Sequence, residues 1–238
     1  EERRVTDLID TTEMYLRTIL ELEEEGIVPL RARISERLGH SGPTVSQTVG
    51  RMERDGLVVV TDDRTLELTG EGRSKAVRVM RKHRLAERLL ADVIGLEWEY
   101  VHEEACRWEH VMSEQVERKL LDMLGHPTVS PYGNPIPGLE ELGARSGAFQ
   151  GGVVNVVDLL ASRIDDTKPV TASIRRLAEP AQVDPELLRE LDAAAVRPGS
   201  SATFSSIDGY VRVDVEGVGG IDLPVEIAAH VFVSSEEP

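Results

Sequence analysis

The chain has very little cysteine: one residue, Cys106, among 238. A single thiol excludes a disulfide within the chain, and the scarcity favours a reducing compartment. The chain also lacks an apolar run of about 18 residues, which argues against a membrane-spanning helix, and no secretory signal is recognisable. We therefore expect a cytoplasmic protein that does not associate with a membrane.

Basic charge is scarce as well. Lysines and arginines number 27 against 43 aspartates and glutamates, which gives a formal net charge of -16. This acidic excess argues against a protein that coats nucleic acid without regard to sequence. It leaves room for a basic face on one domain, and it suits a protein that binds cations. A length of 238 residues favours two or three domains.

The N-terminal part carries the pattern of a helix-turn-helix. A helical period runs over residues 7–25 and ends at Gly26. A short second helix is predicted over residues 30–38. After a turn, a third helix begins with Pro43 in its first turn and Ser41 as its cap. This order of elements is typical of DNA-binding domains.

Two β-rich runs, at residues 57–61 and 65–69, predict a hairpin that would form a wing after the third helix. The third helix presents small hydroxyl and amide side chains, which suit base edges in the major groove, and nearby arginines suit phosphates. The alternative is that these polar residues are only a solvated face. The predicted DNA contacts are Arg31, Arg33, Ser41, Pro43, Thr44, Ser46, Gln47, Thr48, Arg51 and Arg64.

The segment 101–110 contains the only cysteine and two of the six histidines. If the segment is helical, His102, Cys106 and His110 follow one another along one side at four-residue spacing. Glu109 then lies one turn below Cys106. A thiolate, an imidazole and a carboxylate on one face form a set of metal ligands. The alternative is a buried cysteine with solvated neighbours, because free cysteine is often a small core residue.

Five continuous runs of the sequence carry a family resemblance. They are DTTEMYLRTI at 10–19, SGPTVSQTV at 41–49, RKHRLAERLL at 81–90, EACRWEHVM at 104–112 and GNPIPGL at 133–139. In these runs the chain resembles the iron-dependent regulators of the diphtheria toxin repressor family. The resemblance implies a mainly α fold with small β parts. Its expected parts are a winged helix-turn-helix domain (1–76), a helical metal-binding and dimerisation domain (77–144), a flexible linker (145–152) and an SH3-like β-barrel (153–238).

The resemblance implies two metal sites in each subunit. It separates His102 from Cys106, which spacing alone had grouped. The mixed sulfur, nitrogen and oxygen donors suit Fe²⁺, and Co²⁺, Ni²⁺, Zn²⁺ or Mn²⁺ could substitute. Family members that sense manganese have oxygen ligands in place of Cys106, which favours Fe²⁺ here. The implied ligands are Met14, Cys106, Glu109 and His110 in a primary site, and His83, Glu87, His102, Glu179 and Gln182 in an ancillary site.

Met14 would link metal binding to DNA binding. It lies in the first helix of the DNA-binding domain, whereas the other primary ligands belong to the expected dimerisation domain. An ion held by both would favour one placement of the first helix. The alternative for Met14 is an ordinary core methionine, and the alternative for Glu179 and Gln182 is a pair of surface polar residues in a loop.

The segment 126–138 contains four prolines and is expected to be extended. It is either a plain spacer or a ligand of the SH3-like domain. The resemblance also implies an anion site near the ancillary metal, formed by Arg84, Ser130 and Asn134.

These observations predict an Fe²⁺-dependent transcriptional repressor that controls iron homeostasis genes. A homodimer would bind palindromic double-stranded operator DNA, with one or two dimers on each operator. One alternative is a regulator that senses Mn²⁺, Zn²⁺ or a small molecule. Another is an enzyme with a catalytic zinc ion, but no nucleophile or base motif supports it, so we expect no catalytic residues.

Overall fold

A computed structural model describes residues 10–147, 151–163 and 168–235, which form two compact units. The first unit contains the residues up to Ala86 together with Glu104–Thr128 and Ile136–Ser146. The second contains Glu87–Glu103, Val129–Pro135 and the residues from Gly147 onward. The expected domain boundaries divide the chain differently and stay predictions, and residues 1–9, 148–150, 164–167 and 236–238 of those domains lie outside the described residues.

Three helices open the first unit, as predicted. They are α1 (Thr11–Glu24), α2 (Arg31–Leu38) and α3 (Gly42–Arg54). The Asp10 side chain caps α1 by accepting from the Thr12 and Glu13 amides, and Ser41 caps α3 by accepting from the Thr44 amide. These caps satisfy amides that have no partner within the helix, so the chain enters each helix at a defined residue.

The predicted wing is also present. Strands β1 (Val58–Val60) and β2 (Leu66–Leu68) pair antiparallel and are one residue shorter at each end than the β-rich runs. Arg64 allows the tight turn by adopting a φ of 70°. The wing and three helices enclose one apolar core, whose buried members include Tyr15, Leu16, Ile19, Ile34, Val45, Val49, Met52, Leu57 and Leu66.

Three more helices follow the wing. Helix α4 (Gly70–Leu89) continues into one wider, π-helical turn at Leu90–Ile94, and then come α5 (Trp98–Trp108) and α6 (Glu114–Met123). The segment 101–110 is therefore helical as far as Trp108. Ser113 then adopts an extended conformation and caps α6 by accepting from the Val116 amide. No helix in the described ranges is long and apolar enough to cross a membrane.

A buried arginine fixes the centre of the first unit. Arg81, on α4, donates to Glu117 of α6 at 2.9 Å and to the carbonyl oxygen of Gly138 at 2.8 Å. Both Arg81 and Glu117 are buried, and a buried charge is tolerated only when it is paired. The pair therefore holds α6 and the turn at Gly138 against α4.

The second unit contains a six-stranded antiparallel sheet with the order β3-β8-β4-β5-β6-β7. In β4 the register shifts between Ile174 and Arg176, where the strand changes partner from β5 to β8. The expected fold class, a winged helix-turn-helix followed by helices and a C-terminal β module, is confirmed. The strands are β3 (Val153–Asn155), β4 (Val170–Leu177), β5 (Ser201–Ile207), β6 (Tyr210–Val215), β7 (Gly219–Pro224) and β8 (Val231–Ser234), and the helices α7 (Val156–Ala161), α8 (Pro185–Ala193) and α9 (Val225–Ala228) connect them.

Gly72 lies where α4 begins against the base of the wing, and a Cβ there would be 1.9 Å from the carbonyl oxygen of Leu57. We expect Gly72→Ala to destabilise the protein by about 1–3 kcal/mol, because the backbone must shift to accept the methyl group. Gly50→Ala is the matched control: it is also helical but meets nothing within 4 Å. Because alanine has a higher helix propensity than glycine, Gly50→Ala should stabilise the protein by up to about 1 kcal/mol. Urea unfolding measures both, and equal midpoints would contradict the close contact.

Candidate metal centre

The C-terminal end of α5 brings three kinds of metal ligand together. Cys106 lies in its last turn, and the Glu109 amide still donates to the carbonyl oxygen of Ala105 at 3.1 Å. Glu109 is buried, and its Oε1 lies 3.3 Å from Nε2 of His110, whose side chain is also buried. A sulfur, a ring nitrogen and a carboxylate are thus within one short segment. This donor set suits a borderline divalent metal such as Fe²⁺, Co²⁺ or Zn²⁺.

Helix α1 contributes to the same place. Oε2 of Glu13 lies 2.7 Å from Nδ1 of His110. Met14 is the next residue, and it is partly buried against the core of the wing and the first three helices. The predicted role of Met14 as a ligand stays a prediction. The contact between Glu13 and His110 shows that α1 reaches the end of α5 through protein atoms alone.

Arg17, also on α1, occupies the middle of this group. Its Nη1 donates to Oε2 of Glu109 at 2.5 Å and to Sγ of Cys106 at 3.4 Å. The same nitrogen lies 3.2 Å from Nδ1 of His83. Its Nε lies 2.9 Å from Oε1 of Glu21, one turn along α1. A single guanidinium therefore contacts three side chains that the sequence assigned to metal sites.

The charges in this group are mutually stabilised. Burial alone would lower the pKa of Arg17, but the negative charges of Glu109, Cys106 and Glu21 outweigh it and hold that pKa well above its usual range. Burial likewise tends to raise the pKa of Glu109, but Arg17, His83 and His110 outweigh it and keep that pKa below its usual range. Arg17 and Glu109 are therefore a buried ion pair.

His83 is an expected ancillary ligand, but its ring contacts a primary ligand. Its Nδ1 lies 2.7 Å from Oε2 of Glu109, and it offers a ligand atom within 4.8 Å of Sγ of Cys106. A ring nitrogen held by a carboxylate orients the other ring nitrogen for a metal. The assignment of His83 to the ancillary site stays a prediction, and in this structure its ring contacts Glu109 of the primary set.

The other four expected ancillary ligands are buried in the second unit. Nδ1 of His102 lies 3.4 Å from Oε1 of Glu87. Gln182 donates from Nε2 to the carbonyl oxygen of Leu177 at 2.7 Å, and its buried Oε1 has no hydrogen-bond partner among the described residues. Glu179 and Gln182 are 4% and 2% exposed, which does not fit the alternative of surface polar residues. A buried acceptor without a donor suits a cation ligand.

The three residues of the expected anion site already have partners. Arg84 donates to both carboxylate oxygens of Glu24, at 3.0 and 2.5 Å. Ser130 accepts from the amide of Tyr132, and Asn134 donates to the carbonyl oxygen of Leu177 at 2.7 Å. The anion site stays a prediction, and it would require Arg84 to exchange Glu24 for the anion.

Most of the predicted DNA contacts are accessible. Thr44, Ser46, Gln47 and Arg51 are exposed on α3, and Arg33 and Arg64 are exposed on α2 and at the tip of the wing. Thr48 differs, because it is only 7% exposed and lies on the packed side of α3. Its predicted contact with DNA stays a prediction, and base readout by Thr48 would require an accessible side chain. Arg31 is half-buried, and Ser41 and Pro43 are exposed at the start of α3.

Two family models match the chain. The model of the iron dependent repressor N-terminal DNA binding domain matches residues 7–66, and that of the iron dependent repressor metal binding and dimerisation domain matches residues 69–138. The chain belongs to the iron-dependent repressor family. The expected resemblance is confirmed, and this member of the family is a metal-dependent, DNA-binding repressor rather than an enzyme.

Known relatives resemble the repressor along nearly its whole length. The iron-dependent repressor IdeR of Mycobacterium tuberculosis is 56% identical over 232 residues, which cover 96% of this chain and 99% of the relative. The diphtheria toxin repressor of Corynebacterium glutamicum is 54% identical over 231 residues, covering 97% and 99%. The crystal structure of T. acidophilum IdeR has a TM-score of 0.74 at 28% identity, and the match covers 96% of this chain and 99% of that structure.

Sequence reasoning about this repressor missed Arg17 and Glu13. A signal was present in the sequence, because Arg17 lies between apolar residues, Leu16 and Ile19, on the predicted first helix; the structure shows that all of Tyr15 to Leu22 is buried. A buried arginine requires a counter-charge. Glu21, four residues on, supplies one partner, but Glu109 is 92 residues away in the sequence, and no local pattern identifies it.

The buried pair makes a prediction for the metal-free repressor. We expect Glu109→Gln to lower the free energy of unfolding by about 3–5 kcal/mol, because it leaves the Arg17 charge buried without its main partner. Glu104→Gln is the control, since Glu104 pairs with Arg107 where both side chains are partly exposed to solvent. Glu104→Gln should lower the free energy of unfolding by less than about 1 kcal/mol. Urea unfolding in the presence of chelator compares them, and similar losses would refute the assignment of a tight buried pair.

Proposed function

We propose that this repressor senses Fe²⁺ and controls iron homeostasis genes in the cytoplasm. One observation carries the proposal. Cys106, Glu109 and His110, in the metal-binding and dimerisation domain, assemble against Glu13 and Arg17 on the first helix of the DNA-binding domain. A metal held at this place contacts both functional parts of the chain.

The donor set fits a divalent ion. Met14, Cys106, Glu109 and His110 would hold one ion in the primary site, and His83, Glu87, His102, Glu179 and Gln182 a second in the ancillary site. When bound, the ion supplies positive charge that sulfur, nitrogen and carboxylate donors share. The relatives named iron-dependent repressors support Fe²⁺ over the alternatives. Co²⁺, Ni²⁺, Zn²⁺ or Mn²⁺ would substitute in vitro.

The proposed mechanism is a shift in population. The primary ligands on α1 and at the end of α5 fix the first helix, and the arrangement that they favour is the one that binds DNA. The first helix packs on the same core as α3, so its position determines where the exposed side chains of α3 lie. The ligand set thereby controls the DNA-reading surface without contacting DNA.

The repressor would act as a homodimer on a palindromic operator, with one or two dimers on each site. Exposed apolar side chains on the dimerisation domain, Val111, Val116 and Met123, are 46–62% exposed and suit burial against a second copy. Two-fold symmetry would place two α3 helices about 34 Å apart, one turn of DNA.

The metal requirement can be tested by an Fe²⁺ titration of operator binding. Wild-type protein should bind the operator only with metal, and Cys106→Ser and Met14→Ala should each require at least about tenfold more Fe²⁺, because each removes a ligand. Val218→Ala, at an exposed residue between β6 and β7 and outside the ligand sets and the proposed dimer face, is the control for loss of an apolar side chain. Equal operator affinity with Fe²⁺ and with chelator would exclude the proposed function.

The DNA-reading surface makes a separate prediction. Gln47→Ala should weaken binding to the operator by about 1–3 kcal/mol and relax specificity at one base pair, because a glutamine amide can pair with an adenine edge. Arg64→Ala should weaken binding to all sequences and lower the salt slope by about 1, as expected for a phosphate contact. Arg212→Ala is the control, because Arg212 pairs with Asp214 and Asp222 in the C-terminal sheet. Fluorescence anisotropy at several salt concentrations distinguishes these effects.

A further inference from the structure

Arg17 places a positive charge where the ligand atoms converge. One nitrogen, Nη1, lies 2.5 Å from a carboxylate oxygen of Glu109, 3.4 Å from Sγ of Cys106 and 3.2 Å from a ring nitrogen of His83. Oxygen, sulfur and ring nitrogen around one cationic centre are the same donor types that bind a metal ion. The arginine side chain is 8% exposed, so the contacts are shielded from water.

The charge of Arg17 opposes a metal ion at these donors. A carboxylate or thiolate that binds a metal keeps lone pairs that can still accept a hydrogen bond, so the hydrogen bonds by themselves do not exclude the ion. Two positive charges in one buried group, however, repel each other strongly. The contacts of Arg17 therefore oppose metal binding rather than support it.

Arg17 has a second partner outside the ligand set. Its Nε lies 2.9 Å from Oε1 of Glu21 on the same helix, and Glu21 is 4% exposed. The two atoms form an ion pair without hydrogen-bond geometry, and the other oxygen of Glu21 lies 3.8 Å from Nη1 of Arg37. A guanidinium that moves away from Glu109 therefore keeps a negative charge nearby but loses its hydrogen bonds to Glu109 and Cys106.

We propose that Arg17 is a built-in competitor of the metal. Its guanidinium contacts Glu109 and Cys106, two of the primary ligands, and moves towards Glu21 when they bind a metal ion. This competition weakens the apparent metal affinity and so sets the free metal concentration at which the repressor responds. The inference rests on the proposed function, because it takes Cys106 and Glu109 as ligands.

Cobalt binding to the full-length repressor without DNA tests the proposal. Co²⁺ bound to a thiolate gives an intense near-ultraviolet charge-transfer band, which reports both affinity and ligation by Cys106. Arg17→Gln removes the charge and should bind Co²⁺ at least about tenfold more tightly than wild type, the scale of a hydrogen bond between charged groups. Arg17→Lys keeps the charge but cannot reach three acceptors at once, so its affinity should lie between those of wild type and Arg17→Gln.

Arg81→Gln is the matched control. Arg81 is also a buried arginine with a buried carboxylate partner, Glu117, outside the ligand set. Its loss should destabilise the protein without tightening Co²⁺ binding. If Arg17→Gln does not fold, Arg17→Lys alone decides between tighter and unchanged binding.

Two negative results have different meanings. A wild-type protein that shows the charge-transfer band, with Arg17 variants that bind Co²⁺ no more tightly, overturns the competitor role and leaves the proposed function intact. A wild-type protein that shows no thiolate band overturns both. Tightening in Arg81→Gln equal to that in Arg17→Gln would also overturn the competitor role, because general loosening of the fold would then explain it.

Discussion

The ion pair between Arg17 and Glu109 is the constraint on which the centre of this repressor depends. Two charges buried together are stable only when each has further partners, and here those partners are Glu21, His83, Cys106 and His110. The same set joins the first helix of the DNA-binding domain to the segment that follows α5. In the mechanism that we propose, metal-dependent control is an exchange of partners within an existing group. It does not need to create a link between parts that were separate, since Glu13 and Arg17 already make one.

Much of the N-terminal fold could be predicted because its signals are local. A glycine after α1, Ser41 and Pro43 at the start of α3, and two β-rich runs around a turn each act within a few residues. Predictions failed where a distant or following element decides the outcome. The four-residue spacing of His102, Cys106 and His110 assumed a helix through residue 110, but α5 ends at Trp108. No pattern in the sequence predicted the wider turn at Leu90–Ile94 either.

The metal centre was predictable in its ligand types and less so in its grouping. Spacing along one helix placed Cys106 near histidines and Glu109, and family resemblance supplied His83, Glu87 and Met14. Neither source shows which carboxylate oxygen faces which ring, and so neither shows that Glu109 contacts His83 as well as His110. Arg17 was missed because its significance depends on partners that approach only after the chain has folded. Thr48 shows the same limit for a single residue. It is a polar residue of α3 and a predicted DNA contact, but its position on the helix places it against the core.

The contact between Gly72 and the carbonyl oxygen of Leu57 leaves no side-chain layer between the wing and α4. His83 lies 11 residues farther along the same helix, a rise of about 16 Å. A helix is stiff over three turns, so α4 connects the wing rigidly to a histidine that the proposed function places in a metal site. Under that proposal, a displacement of His83 is transmitted along α4 to the hairpin that would lie beside DNA. Because Gly72 has no side chain, the backbones of α4 and the wing are in direct contact and no flexible side chain separates them.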